Sequence, residues 1–331
     1  MGPTLDRKIS LDTVRDAAKH VYEAAARTPL VPLGALSADG PEVYLKLETL
    51  QPIGSFKIRG AYNAVCRLTP AELASGVWTV SAGNAAQGVA YAARKVGARS
   101  SVMVMDTAPE TKLRAIERFG ASIVKAPYEE CWQTVERHTS SRMQGHFVHP
   151  FDDDHFISGN GTIGLEILED LPDVDGVIAP LGGGGLLAGV ACVLHSERPH
   201  AKIYAAEPET AAPLAASFAA GRASYFDAWQ PSFVDGAGGK SVLSTMWPLL
   251  QAWVSESIVV TLDDAAKAMR LVADRIHVIC EGAAACAVAA AVSPAIARRG
   301  HKKIVAVVSG GNIDLTRFAQ LVGACVPNAK A

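Results

Sequence analysis

The sequence of 331 residues lacks the features that mark several classes of protein. It has no run of about 18 apolar residues, so we expect no membrane-spanning helix. Its first residues, MGPTLDRKIS, contain no apolar stretch of signal-peptide length. Its formal net charge of −2 gives no basic excess of the kind that binds nucleic acid. These absences predict a cytoplasmic protein whose partners include neither a membrane nor a nucleic acid.

Paired cysteines are also absent. The six cysteines stand singly and form no CxxC motif, so their spacing suits neither a zinc site nor a disulfide framework. We expect them to be small buried residues in a reducing compartment. They are Cys66, Cys131, Cys192, Cys280, Cys286 and Cys325.

Strand-like and helix-like patterns alternate along most of the chain. The predicted strands are 77–81, 101–105, 122–125, 176–180, 202–207, 257–261 and 303–311. The predicted helices are 85–96, 109–119, 129–143 and the alanine-rich segment 282–292. Strands separated by helix-length segments predict parallel sheets covered by helices on both faces. The fold class is therefore α/β, and 331 residues are enough for two lobes.

One segment contains a lysine between apolar neighbours: Gly54-Ser55-Phe56-Lys57-Ile58-Arg59-Gly60-Ala61. Desolvation lowers the pKa of such an amine and favours nucleophilic or base chemistry. The alternative is a surface lysine whose stem lies along apolar side chains.

Two glycine-containing turns each join a predicted strand to a predicted helix. In Ser81-Ala82-Gly83-Asn84-Ala85 the free N–H groups and the helix dipole predict an anion site, although a simple capped turn would have the same sequence. In Leu181-Gly182-Gly183-Gly184-Gly185-Leu186 four glycines allow the backbone to wrap closely around an anion. This second turn is neither a Walker loop nor a GxGxxG fingerprint.

Ser309, in Val308-Ser309-Gly310-Gly311-Asn312, follows a strongly apolar strand. Its hydroxyl could face the nitrogen of a heteroaromatic ring. A serine that caps the end of the strand is the alternative.

Taken together, these segments resemble the serine/threonine dehydratase family of pyridoxal-phosphate enzymes, of the tryptophan-synthase-β-like fold type II. The resemblance runs from about Thr28 to Asp314. It includes LKLETLQPIGSFKIRGA, VHPFDDDHFISGNGTIGLEIL, AAEPE and EGAAACAVAA. It implies a large cofactor-binding domain of residues 1–75 and 153–331 and a small substrate-side domain of residues 76–152.

The resemblance also implies the cofactor, pyridoxal 5′-phosphate, and a role for each motif. Lys57 would form the Schiff base with the cofactor, and Phe56 would pack beside its ring. Asn84 would bind the phenolic oxygen of the ring, and Ser309 its pyridine nitrogen. The phosphate would be held by Gly182, Gly183, Gly184, Gly185 and Leu186. The substrate carboxylate would be held by Ser81, Ala82, Gly83, Asn84 and Ala85.

The activity implied is that of an ammonia-lyase acting on a β-hydroxy-α-amino acid such as L-threonine, L-serine or the bulkier L-phenylserine. Lys57 would remove the Cα proton, and loss of the β-hydroxyl would give an aminoacrylate that hydrolyses to a 2-oxo acid and ammonia. A serine at the pyridine nitrogen makes the ring a milder electron sink than an aspartate would, which favours elimination over transamination.

Several positions depart from the family pattern. Ala85 replaces a usual histidine and opens space beside the substrate, although the exchange could equally be neutral. Trp132 stands where some relatives have arginine, and Asn160 replaces a glutamine, so an acidic substrate is disfavoured. Ala82 replaces the second serine with which racemases protonate the opposite face of the substrate.

The divalent-cation site of some relatives also departs from the pattern. Glu207 is present, but Pro213 stands at the position of the second carboxylate, so we expect no metal.

The alternatives are a racemase or β-replacement enzyme of the same fold and, further away, a protein that binds the cofactor without turnover. A homo-oligomer, dimer or tetramer, is expected.

Overall fold

The computed structural model describes residues 7–34 and 40–324. The strands are β1 (Leu30–Gly34), β2 (Glu42–Leu47), β3 (Val77–Val80), β4 (Ser100–Met105), β5 (Ser122–Ala126), β6 (His146–Phe147), β7 (Gly176–Pro180), β8 (Lys202–Pro208), β9 (Glu256–Val260) and β10 (Lys303–Val308). The helices are α1 (Leu11–Val21), α2 (Lys57–Val65), α3 (Pro70–Ser75), α4 (Asn84–Lys95), α5 (Glu110–Glu117), α6 (Tyr128–Arg137), α7 (Asp154–Asp170), α8 (Gly185–Glu197), α9 (Pro213–Ala220), α10 (Trp247–Trp253), α11 (Leu262–Ile276), α12 (Gly282–Ala291), α13 (Pro294–Ala297) and α14 (Leu315–Ala324).

Ten strands form two sheets in the described part of the chain. The larger sheet has the order β1-β2-β10-β7-β8-β9, and only its β1–β2 pair is antiparallel. The smaller sheet has the order β5-β4-β3-β6 and is parallel throughout. Helices pack against these sheets, so the predicted α/β fold class is confirmed.

All seven predicted strands are present, and most boundaries agree to within two residues. One predicted helix is shorter than expected: α6 ends at Arg137 rather than at Met143. His138 adopts the left-handed conformation, with φ of 58°, and its N–H bonds the carbonyl of Thr134, which terminates the helix. Pro109 has extended ψ and precedes α5 instead of lying in its first turn.

Helix α2 lies in close contact with two others, α4 and α7. A Cβ atom at Gly60 would lie 2.3 Å from the Phe156 ring of α7, and one at Gly159 would lie 2.4 Å from the carbonyl oxygen of Arg59. On the other side, a Cβ at Gly88 of α4 would approach the carbonyl oxygen of Lys57 to 3.1 Å. The backbones therefore meet at glycines, which fixes the position of α2.

A fully buried set of charges lies beneath α2. Arg59 donates to Glu48 (Nε–Oε2, 2.8 Å) and to Glu166 (Nη1–Oε1, 2.6 Å), and Lys46 contacts Glu166 (Nζ–Oε2, 2.5 Å). The side chain of Thr28 donates to Glu48 as well (2.6 Å). Two cations and two carboxylates thus balance each other in the interior.

The remaining expectations concern the cysteines and the membrane. Cys66, Cys131, Cys192, Cys280 and Cys286 are free thiols, and all but Cys66 are buried. Cys325 lies outside the described residues. Within the described chain, no helix combines the length and apolar character needed to cross a membrane.

Candidate active site

A cavity of about 1130 Å³ opens where strands of both sheets end. All the residues that the sequence predicts for the site line it: Phe56 and Lys57, the loop 81–85, the loop 182–186 and Ser309. The loops follow β3 and β7 directly, and Ser309 follows β10. Ligands of parallel α/β sheets commonly bind at the carboxyl ends of the strands.

Lys57 is the first residue of α2, and its amine is enclosed by apolar groups. Nζ lies 5.3 Å from the ring centroids of both Phe56 and Phe156 and donates to the carbonyl oxygen of Pro150 (2.6 Å). Burial lowers the pKa of Lys57 to about 8, and the charge of Glu281 partly opposes this shift. The lowered pKa increases the fraction of the amine that is neutral near neutral pH, and the neutral form is the one that a nucleophile or proton acceptor requires.

The glycine loop leads directly into α8. Gly184 has φ of 91°, and no side chain caps the helix, so the N–H groups of the first turn are left for another acceptor. A Cβ at Gly183 would lie 2.1 Å from the Phe151 ring, and one at Gly185 would lie 2.5 Å from the carbonyl oxygen of Phe151. Only glycine fits this path, and the loop presents the positive end of a 13-residue helix to the cavity.

The loop after β3 has similar chemistry. Ser81 Oγ accepts from the N–H of Gly83 (3.1 Å), and α4 begins at Asn84 without a side-chain cap. Asn84 Nδ2 donates to Glu281 Oε1 (2.8 Å), and Asn84 Oδ1 accepts from Asn312 Nδ2 (2.7 Å). Ala85 is buried at the start of α4. The loop therefore offers backbone donors to an anion such as a carboxylate.

The donor set fits pyridoxal 5′-phosphate. An uncapped helix start with an obligatory glycine loop suits the phosphate, and a buried amine suits the carbonyl carbon. Ser309 is buried, lines the cavity, and is held by the bond from the Phe56 N–H to its carbonyl oxygen (2.9 Å). Its hydroxyl suits the ring nitrogen.

Most of the other lining residues received no role from the sequence, among them Pro150, Phe151, Glu281 and Asn312. Pro150 and Phe151 belong to VHPFDDDHF, and Glu281 opens EGAAACAVAA. Both segments carry part of the family resemblance, which assigns no role to these residues. A carboxylate directly before a buried alanine-rich helix was the available signal for Glu281.

One side of the cavity is apolar. Met103, Cys131, Trp132, Val135 and Phe151 line it. The indole N–H of Trp132 donates to Glu136 on the same helix (3.0 Å), so the hydrogen-bonding group of this side chain already has a partner. This apolar wall offers no cation for a second carboxylate of a substrate.

Glu207, which stands at the position of a metal ligand in some relatives, is bound by groups of the protein. Glu207 accepts from the N–H groups of Leu214 (2.8 Å) and Ala215 (2.9 Å) and from the hydroxyl of Ser257 (2.5 Å), so it caps α9.

Among the described residues, His138, His149 and Asp152 also lie close together. His149 Nδ1 accepts from the backbone N–H of Asp152 (2.7 Å), and Nε2 faces the carbonyl of Val135 (3.2 Å), so both nitrogens of this ring are engaged.

Comparisons with known proteins show the family of this chain. A family model described as "Pyridoxal-phosphate dependent enzyme" matches residues 21–310. An L-threonine ammonia-lyase of Thermotoga maritima is 37% identical over 317 residues, which cover 95% of this chain and 78% of that protein. The crystal structure of serine racemase from Dictyostelium discoideum is 34% identical, with a TM-score of 0.83, over 93% of this chain and 99% of that one. Threonine deaminase isoform 2 of Solanum lycopersicum is 30% identical, with a TM-score of 0.83, over 96% and 93% of the two chains.

The family match covers most of the chain, and the relatives and solved structures also align over more than nine-tenths of it. The chain therefore belongs to the pyridoxal-phosphate-dependent enzymes of fold type II, uses pyridoxal 5′-phosphate as its cofactor and is an enzyme of the lyase class.

Proposed function

We propose that the protein is a dehydratase that converts a β-hydroxy-α-amino acid to a 2-oxo acid and ammonia. The observation that carries this proposal is the desolvated amine of Lys57 in a cavity that also contains the glycine loop and Ser309. Relatives named L-threonine ammonia-lyase and catabolic L-threonine dehydratase, at 37% and 34% identity, support the reaction class.

Each element of the cavity has a task in this reaction. The bound cofactor supplies an electron sink for the charge that develops at the substrate Cα. The backbone donors of residues 81–85 hold the substrate carboxylate, which orients Cα. Lys57 Nζ accepts the Cα proton, and its low pKa suits a general base near neutral pH. The surrounding rings of Phe56 and Phe156 exclude water from that amine.

The apolar wall and Ala85 support a substrate with a large β-substituent, such as L-phenylserine, over L-threonine and L-serine. Ala85 is the buried last residue of the carboxylate loop, and its methyl group occupies less space than an imidazole would. An aromatic ring packed into a dry pocket can contribute a few kcal/mol to binding. Trp132 and Met103 are suitable partners for such a ring.

The Ala85→His variant tests this substrate preference. We expect the wild type to prefer phenylserine to threonine in kcat/KM, and the variant to move the preference towards threonine by filling the space next to the loop. A coupled assay of 2-oxo acid release with serine, threonine, phenylserine and hydroxyaspartate measures both proteins directly.

Ala85→Ser is the matched control, because it changes polarity at this position with little added volume. Equal losses for threonine and phenylserine in Ala85→His would contradict the role of Ala85 in side-chain selection and assign the position to the carboxylate loop alone.

The Ser309→Asp variant tests the electronic argument. A carboxylate at this position would keep a ring nitrogen protonated, so we expect transamination and racemisation to rise relative to elimination. The measurement is the ratio of products from one substrate, in a variant shown to bind the cofactor. An unchanged product ratio would refute the role of the serine hydroxyl.

Racemisation as the main activity is disfavoured by Ala82, whose methyl group cannot donate a proton to the second face of the substrate.

We also propose the division into a domain of residues 1–75 and 153–331 and a domain of residues 76–152, since the strands of the smaller sheet all lie between residues 77 and 147. The homo-oligomer and the cytoplasmic location stay predictions.

A further inference from the structure

A buried carboxylate, Glu281, borders the cavity and has no role in the reaction described above. Its N–H bonds the carbonyl oxygen of Gly310 (3.0 Å), and its Oε1 lies only 2.9 Å from a Cβ built at Gly310 and 3.3 Å from one built at Gly236. Glycines on both sides therefore let the main chain close around this carboxyl.

Glu281 is the last member of a chain of hydrogen bonds. The donor and the acceptor of each bond in this chain can be deduced from its first member. The carbonyl of Ile53 can only accept, so the atom of Asn312 that faces it must be the donor Nδ2 (2.8 Å). The same Nδ2 faces Asn84 (2.7 Å), which must therefore present Oδ1. The Nδ2 of Asn84 is left to face Glu281 (2.8 Å). An amide nitrogen has two hydrogens, so one N–H of Asn84 remains for another acceptor.

The groups around Glu281 tune its ionisation. Burial raises the pKa of Glu281 to about 7, and the charge of Asp235 adds to the shift. The bond from Asn84, the charge of Lys112 and a backbone bond from Asn312 oppose it. The other titratable neighbours are Lys57 and the buried thiol of Cys280, on which the charge of Glu281 acts. The carboxyl is thus protonated below neutral pH and charged above it.

We propose that Glu281 is a positioning residue: its carboxyl holds the Asn84 amide with one N–H towards the cofactor ring, and its ionisation alters the electronic state of that ring. The proposal rests on the proposed function only in requiring that Asn84 contacts the cofactor. A negative charge two hydrogen bonds away from the ring disfavours a phenolate there, so the ring responds to the charge of Glu281.

The test is a pH titration of the cofactor absorption spectrum in the holoenzymes, without substrate. In the wild type we expect a spectral transition with a midpoint near the pKa of Glu281, about 7. Glu281→Gln keeps an acceptor for Asn84 and loses the ionisation, so the transition should disappear while cofactor affinity is kept. Glu281→Asp keeps a carboxyl and should restore a transition with a shifted midpoint.

Two further variants make the result specific. Glu207→Gln, which removes a buried carboxyl with a raised pKa outside the cavity, should leave the wild-type midpoint unchanged. Asn312→Ala removes the donor that orients Asn84 and should weaken cofactor binding while the transition remains.

The proposal would be overturned if the spectral transition of Glu281→Gln kept the same pH midpoint as that of the wild type. It would also be overturned if the cofactor spectrum of the wild type did not change with pH. A different result would contradict the proposed dehydratase function: a wild-type protein that carries the cofactor but releases no 2-oxo acid.

Discussion

Lys57→Ala is expected to abolish the covalent bond between the protein and its cofactor and to eliminate turnover. We assign two tasks to the buried amine of Lys57: it forms the covalent bond to the cofactor, and it accepts the Cα proton of the substrate. Loss of a general base alone typically lowers the rate by about 10²–10⁴-fold. Loss of the covalent bond to the cofactor should lower the rate further. Borohydride reduction followed by peptide mass analysis should find the cofactor on Lys57 in the wild type and on no lysine in the variant.

Lys112→Ala is the matched control, because this lysine also lines the cavity but pairs with Asp235 at the surface. It should keep the cofactor bond. Near-normal turnover of purified Lys57→Ala, or trapped cofactor on another lysine, would end the assignment.

Arg59→Met is expected to destabilise the protein by about 3–5 kcal/mol, because removal of one member of a buried ion network leaves charge uncompensated. In this variant Lys46 would still pair with Glu166, but Glu48 would lose its cationic partner, and all of these side chains are fully buried. The measurement is urea unfolding at one fixed cofactor concentration, since bound cofactor itself stabilises the folded state.

Arg15→Met provides the comparison for Arg59→Met. Arg15 pairs with Glu197 at the surface, and exposed pairs contribute about 0–1 kcal/mol. If both variants lost the same small amount of stability, the network around Arg59 would contribute no more than a surface pair.

The sequence predicted those elements whose signal is local. Strands such as Val77–Val80 and Lys303–Val308 are short apolar runs next to glycine or a helix, and the structure buries them. Strands β1, β2 and β6 were not predicted. Pro32 lies in the middle of β1, where it is tolerated because that strand forms the edge of the sheet. The end of α6 at His138 was missed because a histidine in the left-handed conformation has no clear sequence signal.

The same distinction holds for the site. The glycine loop and Lys57 carry their chemistry within a few consecutive residues, so the sequence indicated them. The contact of Asn84 with Glu281 joins residues 197 positions apart, and that with Asn312 joins residues 228 apart. Only the packing of the two sheets brings these side chains together, and no local pattern could reveal their hydrogen bonds.

The glycine contact between α2 and α4 has a consequence for engineering this enzyme. Because Gly88 packs against the main chain at Lys57, the spacing between that lysine and the loop before α4 is set by helix packing. The side chains of Met103 and Trp132 belong to other elements and do not take part in that contact. Libraries that vary these two positions can therefore explore new substrates while the reacting groups keep their geometry.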